Sequence, residues 1–171
     1  MPKGTGFTFI EFIISAAIVS VITVIAIPSF SNLVSRTRLD CATSDFLQSL
    51  ALARSKAAYL NTKVAVIPEG ANWDSGWTVY EDINSDGKVD QNETVFLRHG
   101  PLNNGLQIRA GKTIATYIAY LPNGYTARKN NALLMDTIVF CTPRANILSK
   151  KLTINFSGRV RTEEITNTCS T

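Results

Sequence analysis

Apolar and polar positions divide the chain into three stretches with different periods. From Phe7 to Ile27 nearly every position is apolar or small, and Glu11 is the only charge. At the helical rise this stretch reaches about 31 Å, enough to cross the hydrocarbon layer of a bilayer. Through LDCATSDFLQSLALARSKAAYL the pattern becomes amphipathic. Leu39, Ala42, Phe46, Leu50, Ala53 and Ala57 recur at three- and four-residue steps and draw one apolar stripe on a helix, while Arg36, Arg38, Asp45, Arg54 and Lys56 fall mostly off it. One long N-terminal helix is therefore expected, with a kink at Pro28, which lacks a backbone donor, and an end near Asn61 and Thr62. Beyond residue 62 the period shortens to that of strands in KVAVI, GWTVYE, ETVFLRH, LQIR, TIATYIAYL, DTIVFC and KLTINFSGRVR, with turn residues between them at PEGAN, NSDG, PLNNG and PNG. The expected class is α+β: a long helix whose second half packs against a mostly antiparallel sheet.

Charge sharpens the reading of the first stretch. Lys3 precedes it, so the positive-inside rule places the start in the cytoplasm and the residues after Pro28 across the membrane. A cleavable export signal also has a basic start and an apolar centre, but AIPSFSNL offers a poor small-x-small site. Neither a signal nor a simple anchor explains Glu11, because a carboxylate inside a membrane costs about 2.5 to 3.5 kcal/mol on insertion scales and calls for a partner.

GFTFIE followed by an apolar helix and Pro28 resembles the class III leader of type IV pilins and type II secretion pseudopilins. The resemblance implies that a prepilin peptidase cuts after Gly6 and methylates Phe7. It also implies that Glu11 pairs with the N-terminal amine of a neighbouring subunit in a fibre. Through the leader, the NWDSGWTVYED stretch and the sheet-rich end, the whole chain is similar to the minor pilins of the GspH, FimU and FimT group. The implied organisation is a leader over 1–6, a transmembrane and assembly half of the helix over 7–34, and a soluble head over 35–171. The implied setting is the inner membrane, head in the periplasm, and then a surface pilus whose other pilins are partners.

Three further features bear on function. Residues 82–93, DINSDGKVDQNE, place Asp82, Asn84, Asp86, Gly87, Asp90 and Glu93 in a calcium-loop pattern. The flanking strands make a plain hairpin connection the competing reading, and such segments occur in this pilin group as structural hairpins. Of three cysteines, two should pair in an oxidising envelope compartment. Cys141 with Cys169 would staple the tail and resembles the layout of FimU- and FimT-like pilins, while Cys41 with Cys169 competes; otherwise Cys41 is expected as a buried free thiol.

The third feature is FSGRVRTEE. Read as one strand, KLTINFSGRVR puts Ile154, Phe156 and Val160 on one face and Arg159 and Arg161 on the other, about 7 Å apart, near the phosphate repeat of a nucleic-acid strand. Gly158 removes bulk beside them. Gly158, Arg159 and Arg161 resemble the G-R-x-R motif of FimT-type pilins that bind double-stranded DNA during natural transformation. Lys150, Lys151 and Arg144 add charge nearby, residues 101–171 hold nine Lys/Arg against three acids, and Glu163 and Glu164 oppose the reading. Solvated arginines on an outer strand face are the plainer alternative. Trp73 and Trp77 are expected in the core rather than stacked on bases. No enzymatic activity, cofactor or resident metal is expected: His99 is the sole histidine and stands outside any catalytic motif.

Overall fold

The computed structural model describes residues 8–102, 105–143, 146–166 and 169, with the backbone alone for 24–29. Gly6, Phe7 and Arg144 lie outside the described residues. Helix α1 spans Phe9–Leu60 and runs through Pro28 without a break in its helical backbone. Contacts divide the chain into two compact units, Met1–Thr37 and Arg38–Thr171.

In the first unit the start of α1 is closed by a capping box. The Thr8 hydroxyl accepts from the Glu11 backbone N–H at 3.4 Å, and the Glu11 carboxylate accepts from the Thr8 N–H at 2.9 Å and its hydroxyl at 2.8 Å. The signature was present in the sequence as T-x-x-E, and it gives Glu11 a local partner within its own chain. Phe9, Ile10, Phe12, Ile18 and Val19 are exposed. Among the described residues no helix is long and apolar enough to cross a membrane. The first run with described side chains, 8–23, falls short of the about 20 residues a crossing needs.

In the second unit the expected stripe is buried along its full length: Leu39, Ala42, Phe46, Leu50, Ala53 and Ala57 are all buried. The helix stops where its backbone turns left-handed at Asn61, and the Thr62 N–H reaches back to the Ala57 carbonyl at 3.3 Å, a Schellman closure. Among the described residues nine strands follow: β1 Val64–Pro68, β2 Trp77–Glu81, β3 Val95–His99, β4 Gln107–Ala110, β5 Ile118–Tyr120, β6 Thr126–Ala127, β7 Asp136–Cys141, β8 Ser149–Ile154 and β9 Val160–Ile165. They form two antiparallel sheets, ordered β3-β2-β1-β5-β6 and β4-β7-β8-β9.

Both sheets share one core with the helix stripe. Phe46 meets the edges of Trp73 at 5.4 Å and Trp77 at 5.1 Å between ring centres, and Phe140 at 5.4 Å. The two indoles are buried and their N–H groups are satisfied inside, by the Ile114 carbonyl at 3.0 Å and the Ser49 hydroxyl at 2.8 Å. They are core residues, as expected.

Three expectations need correction. TIATYIAYL is not one strand: only Ile118–Tyr120 is extended, and Ile114 is buried from an irregular segment before it. KLTINFSGRVR is a hairpin, with β8 and β9 paired from Ile154 opposite Val160 to Ser149 opposite Ile165. Its turn is closed by the Gly158 N–H on the Asn155 carbonyl at 2.9 Å and the Asn155 N–H on the Arg159 carbonyl at 3.0 Å, so Phe156 sits exposed at the tip instead of in the core. Cys41 is exposed, because it lies one residue, about 100° of helix, from the Ala42 position of the stripe.

Cys141 and Cys169 form a disulfide with Cα atoms 5.7 Å apart, across a separation of 28 residues. On loop entropy alone this link contributes about 3.6 kcal/mol. A Cys141→Ser, Cys169→Ser double variant should therefore lose roughly 3 to 4 kcal/mol in chemical denaturation relative to the oxidised protein. Reductant should then have little further effect on the variant. Gly158 has φ +76°, and a Cβ there would overlap the Gly124 carbonyl oxygen. Gly158→Ala should destabilise by more than about 1 kcal/mol in the same assay, since neither the backbone angle nor the space accepts a side chain.

Candidate nucleic-acid interface

The β8–β9 hairpin gathers the charged residues singled out in the sequence and sorts them into two kinds. Lys150 stands opposite Glu164 and Lys151 opposite Glu163 in the strand register. Lys150 Nζ lies 2.8 Å from Glu164 and 3.0 Å from Asp40 of α1, and Lys151 Nζ lies 2.7 Å from Glu163. The Glu164 carboxylate, with Asp40 beside it, holds the Lys150 ammonium above the usual lysine range. Lys151 in turn holds Glu163 below the usual carboxylate range. Both lysines, expected to add attraction for a polyanion, are thus each paired with an acid. Their charge is matched within the fold, because the register sets each one against an acid.

Arg159 and Arg161 differ. Both are exposed, and among the described residues neither has an ion pair. Arg161 lies opposite Thr153, and Arg159 sits in the last step of the turn, just before β9. Gly158 is not an opening for a ligand backbone. It is buried, and the room where a Cβ would stand is taken by the Gly124 carbonyl, Arg54 and Tyr120. Its role is to let the chain turn tightly, which presents Arg159 at the tip.

A residue not expected at this site completes the arrangement. Arg54 of α1 donates to the Ser157 carbonyl at 3.1 Å and the Gly158 carbonyl at 3.3 Å, clamping the hairpin turn to the helix across more than a hundred residues of sequence. The only signal for it in the sequence was an arginine on the flank of the stripe.

The segment 82–93 connects β2 to β3 as a hairpin. Glu93 accepts from the Ile83 and Asp90 N–H groups at 3.0 and 3.1 Å, Asn84 accepts from the Asp86 N–H at 3.0 Å, and Asp86 accepts from the Lys88 N–H at 2.8 Å. Asp82 is fully buried and accepts from the Tyr117 hydroxyl, and burial, with Asp82 next, pushes the Tyr117 phenol well above its ordinary value. Two ammonium groups reach the same loop: Lys63 donates to Ser85 at 2.9 Å and Lys129 to the Asp86 carbonyl at 2.9 Å. The acidic spacing therefore serves turns and cross-loop bonds. Among the described residues no three His, Cys, Asp or Glu side chains gather as a metal-binding group. His99 ends β3, stacks on Trp77 at 3.9 Å and lies 3.5 Å from Asp45.

Comparisons with known proteins agree with this architecture. The profile of the family described as type II transport protein GspH matches residues 42–158, more than half of the chain. No curated protein matches it in sequence. Among solved structures, the type IV minor pilin FimU of Pseudomonas aeruginosa superposes with a TM-score of 0.62 at 17% identity, over 75% of this chain and 90% of FimU. The minor pseudopilin EpsH from the type 2 secretion system of Vibrio cholerae gives 0.54 at 14% identity, over 74% and 97%. At such identities the two structures establish a shared fold, the type IV pilin fold, and the profile match establishes the lineage: the chain belongs to the GspH family, a group of minor pilins and pseudopilins.

Proposed function

We propose that this protein is a minor pilin that holds extracellular double-stranded DNA, without regard to sequence, for uptake in natural transformation. The observation that carries the reading is the pair Arg159 and Arg161: exposed, outside any ion pair among the described residues, and carried by a hairpin whose turn Arg54 fixes to the helix. Guanidinium groups on a rigid hairpin match phosphate oxygens, and phosphate contacts position a duplex without reading its bases. Arg144, outside the described residues, adds charge to the same region of the sequence.

The same reading includes processing and anchoring. A prepilin peptidase would cut after Gly6 and methylate Phe7, leaving Thr8 as the second residue and its capping box with Glu11 at the start of the mature helix. Residues 7–34 would sit in the inner membrane before assembly, where Glu11 would exchange its local partner for the amine of a neighbouring pilin.

A second reading is a structural subunit that primes a pilus or a type II secretion pseudopilus and touches no DNA. It is favoured by the internal neutralisation of Lys150 and Lys151. A deletion strain separates the two. Intact pili with lost transformation supports DNA capture, whereas lost pili or lost secretion supports priming.

With Arg159 and Arg161 engaged, the logarithm of DNA affinity should fall with the logarithm of salt at a slope of about −1.8, near −0.9 per phosphate. Arg159→Gln with Arg161→Gln should flatten that slope and abolish the mobility shift of a duplex while the thermal midpoint holds. Lys150→Gln with Lys151→Gln should alter binding far less. An unchanged shift in the arginine variant would overturn the site.

A further inference from the structure

Beside the hairpin lies a pocket of about 270 Å³ in which Leu47, Leu50 and Ala51 of α1 form one wall and Arg54, Arg159 and Tyr120 supply the polar groups. The volume lies just under the range of about 300 Å³ and above typical of small-molecule sites, so it suits a single small group and not a cofactor. No acidic residue lines it. Its charged groups are two guanidiniums, and the Tyr120 hydroxyl can also donate.

Tyr120 is the most informative of them. The residue is only 1% exposed and among the described residues its hydroxyl makes no hydrogen bond, while the fully enclosed unpartnered polar atoms there are those of Tyr80 and Asp82. Burial pushes its phenol up to about 12, with the Arg54 guanidinium acting against the shift, so the group is an un-ionised O–H donor at neutral pH. Arg54 has five N–H donors and directs two to the hairpin carbonyls, which leaves three. Arg159 contributes a second guanidinium without an ion pair among the described residues. Two guanidinium forks and a hydroxyl offer more donors than the two oxygens of a carboxylate use, and they suit a tetrahedral oxyanion.

We propose that this pocket receives one phosphate group, held by Arg54 and Tyr120 together with Arg159. Resting on the DNA reading above, that group is a phosphodiester of the bound strand, with the apolar wall of α1 covering its sugar carbons. Arg54 then has two tasks, clamping the turn and contacting the ligand.

The test uses the full chain in detergent with two probes, a 30-base-pair duplex in a mobility-shift assay and inorganic phosphate in isothermal titration calorimetry. Tyr120→Phe removes a single oxygen and no charge. It should weaken duplex binding about three- to tenfold at fixed salt, leave the salt slope unchanged, and remove the saturable heat that phosphate gives with the unmodified protein. Arg54→Gln should weaken duplex binding at fixed salt by more than Tyr120→Phe does, since it removes a charged donor; because it also loosens the hairpin, its thermal midpoint is followed alongside, and Tyr120→Phe decides the matter if it fails to fold. If the duplex binds through Arg159 and Arg161 while Tyr120→Phe is unchanged and phosphate gives no saturable heat, the pocket proposal falls and DNA capture stands. Saturable phosphate binding lost in Tyr120→Phe, with no duplex bound, keeps the pocket and assigns it to free phosphate. Absence of both overturns both.

Discussion

Burial of one stripe of α1 beneath two sheets is the contact on which the head depends. Phe46 sits at its centre, edge-on to both indoles and beside Phe140, so a single side chain touches residues of the first sheet, the turn before β2 and the second sheet. Each large side chain buried there contributes about 1.5 to 3 kcal/mol, more than any exposed ion pair in the molecule. Once the stripe is inside, the flanks of the helix have no freedom in azimuth. Ser49 meets Trp77, Asp40 meets Lys150 and Arg54 meets the β8–β9 turn as consequences of that rotation.

The hairpin tip shows how one local device serves folding and chemistry together. Gly158 and Gly124 both have positive φ, and Arg54 packs against the two positions where their Cβ atoms would be. The turn is narrow because neither residue carries a side chain, and Arg54 fits because the turn is narrow. Arg159 follows immediately and inherits a fixed exit direction. The net positive charge of the C-terminal third is a poor guide to this surface, since the lysines of β8 form ion pairs with acids of β9 and α1, whereas among the described residues Arg159 and Arg161 form none.

The acidic segment 82–93 makes the complementary point. Its oxygens face inward, to backbone amides of their own loop, and Asp82 anchors it beneath Tyr117. Lys63 there is held below the usual lysine range by burial, with Asp82 pulling the other way. A spacing that suits cation ligands also suits consecutive turns, because both need short side-chain oxygens at alternate positions.

Much of the fold was legible from the order of residues. Leu39 through Ala57 declared the buried face of the helix, Asn61 its end, and the period-two runs most strands. Thr8 and Glu11 declared a capping box that went unread. These are features in which a residue's environment follows from its near neighbours along the chain. The break within KLTINFSGRVR was not legible, because apolar and polar residues alternate alike through one extended strand and through two strands joined by a tight turn. What bends the chain there is the Asn155 to Gly158 closure, seated against Gly124 and held by Arg54. Nor did the sequence reveal that Lys150 is neutralised while Arg159 forms no ion pair among the described residues, for that is set by cross-strand register and by the rotation of a helix about a hundred residues away. Periodicity determines which side of an element is buried; only packing decides which distant groups then meet, since those meetings depend on the position of every element at once.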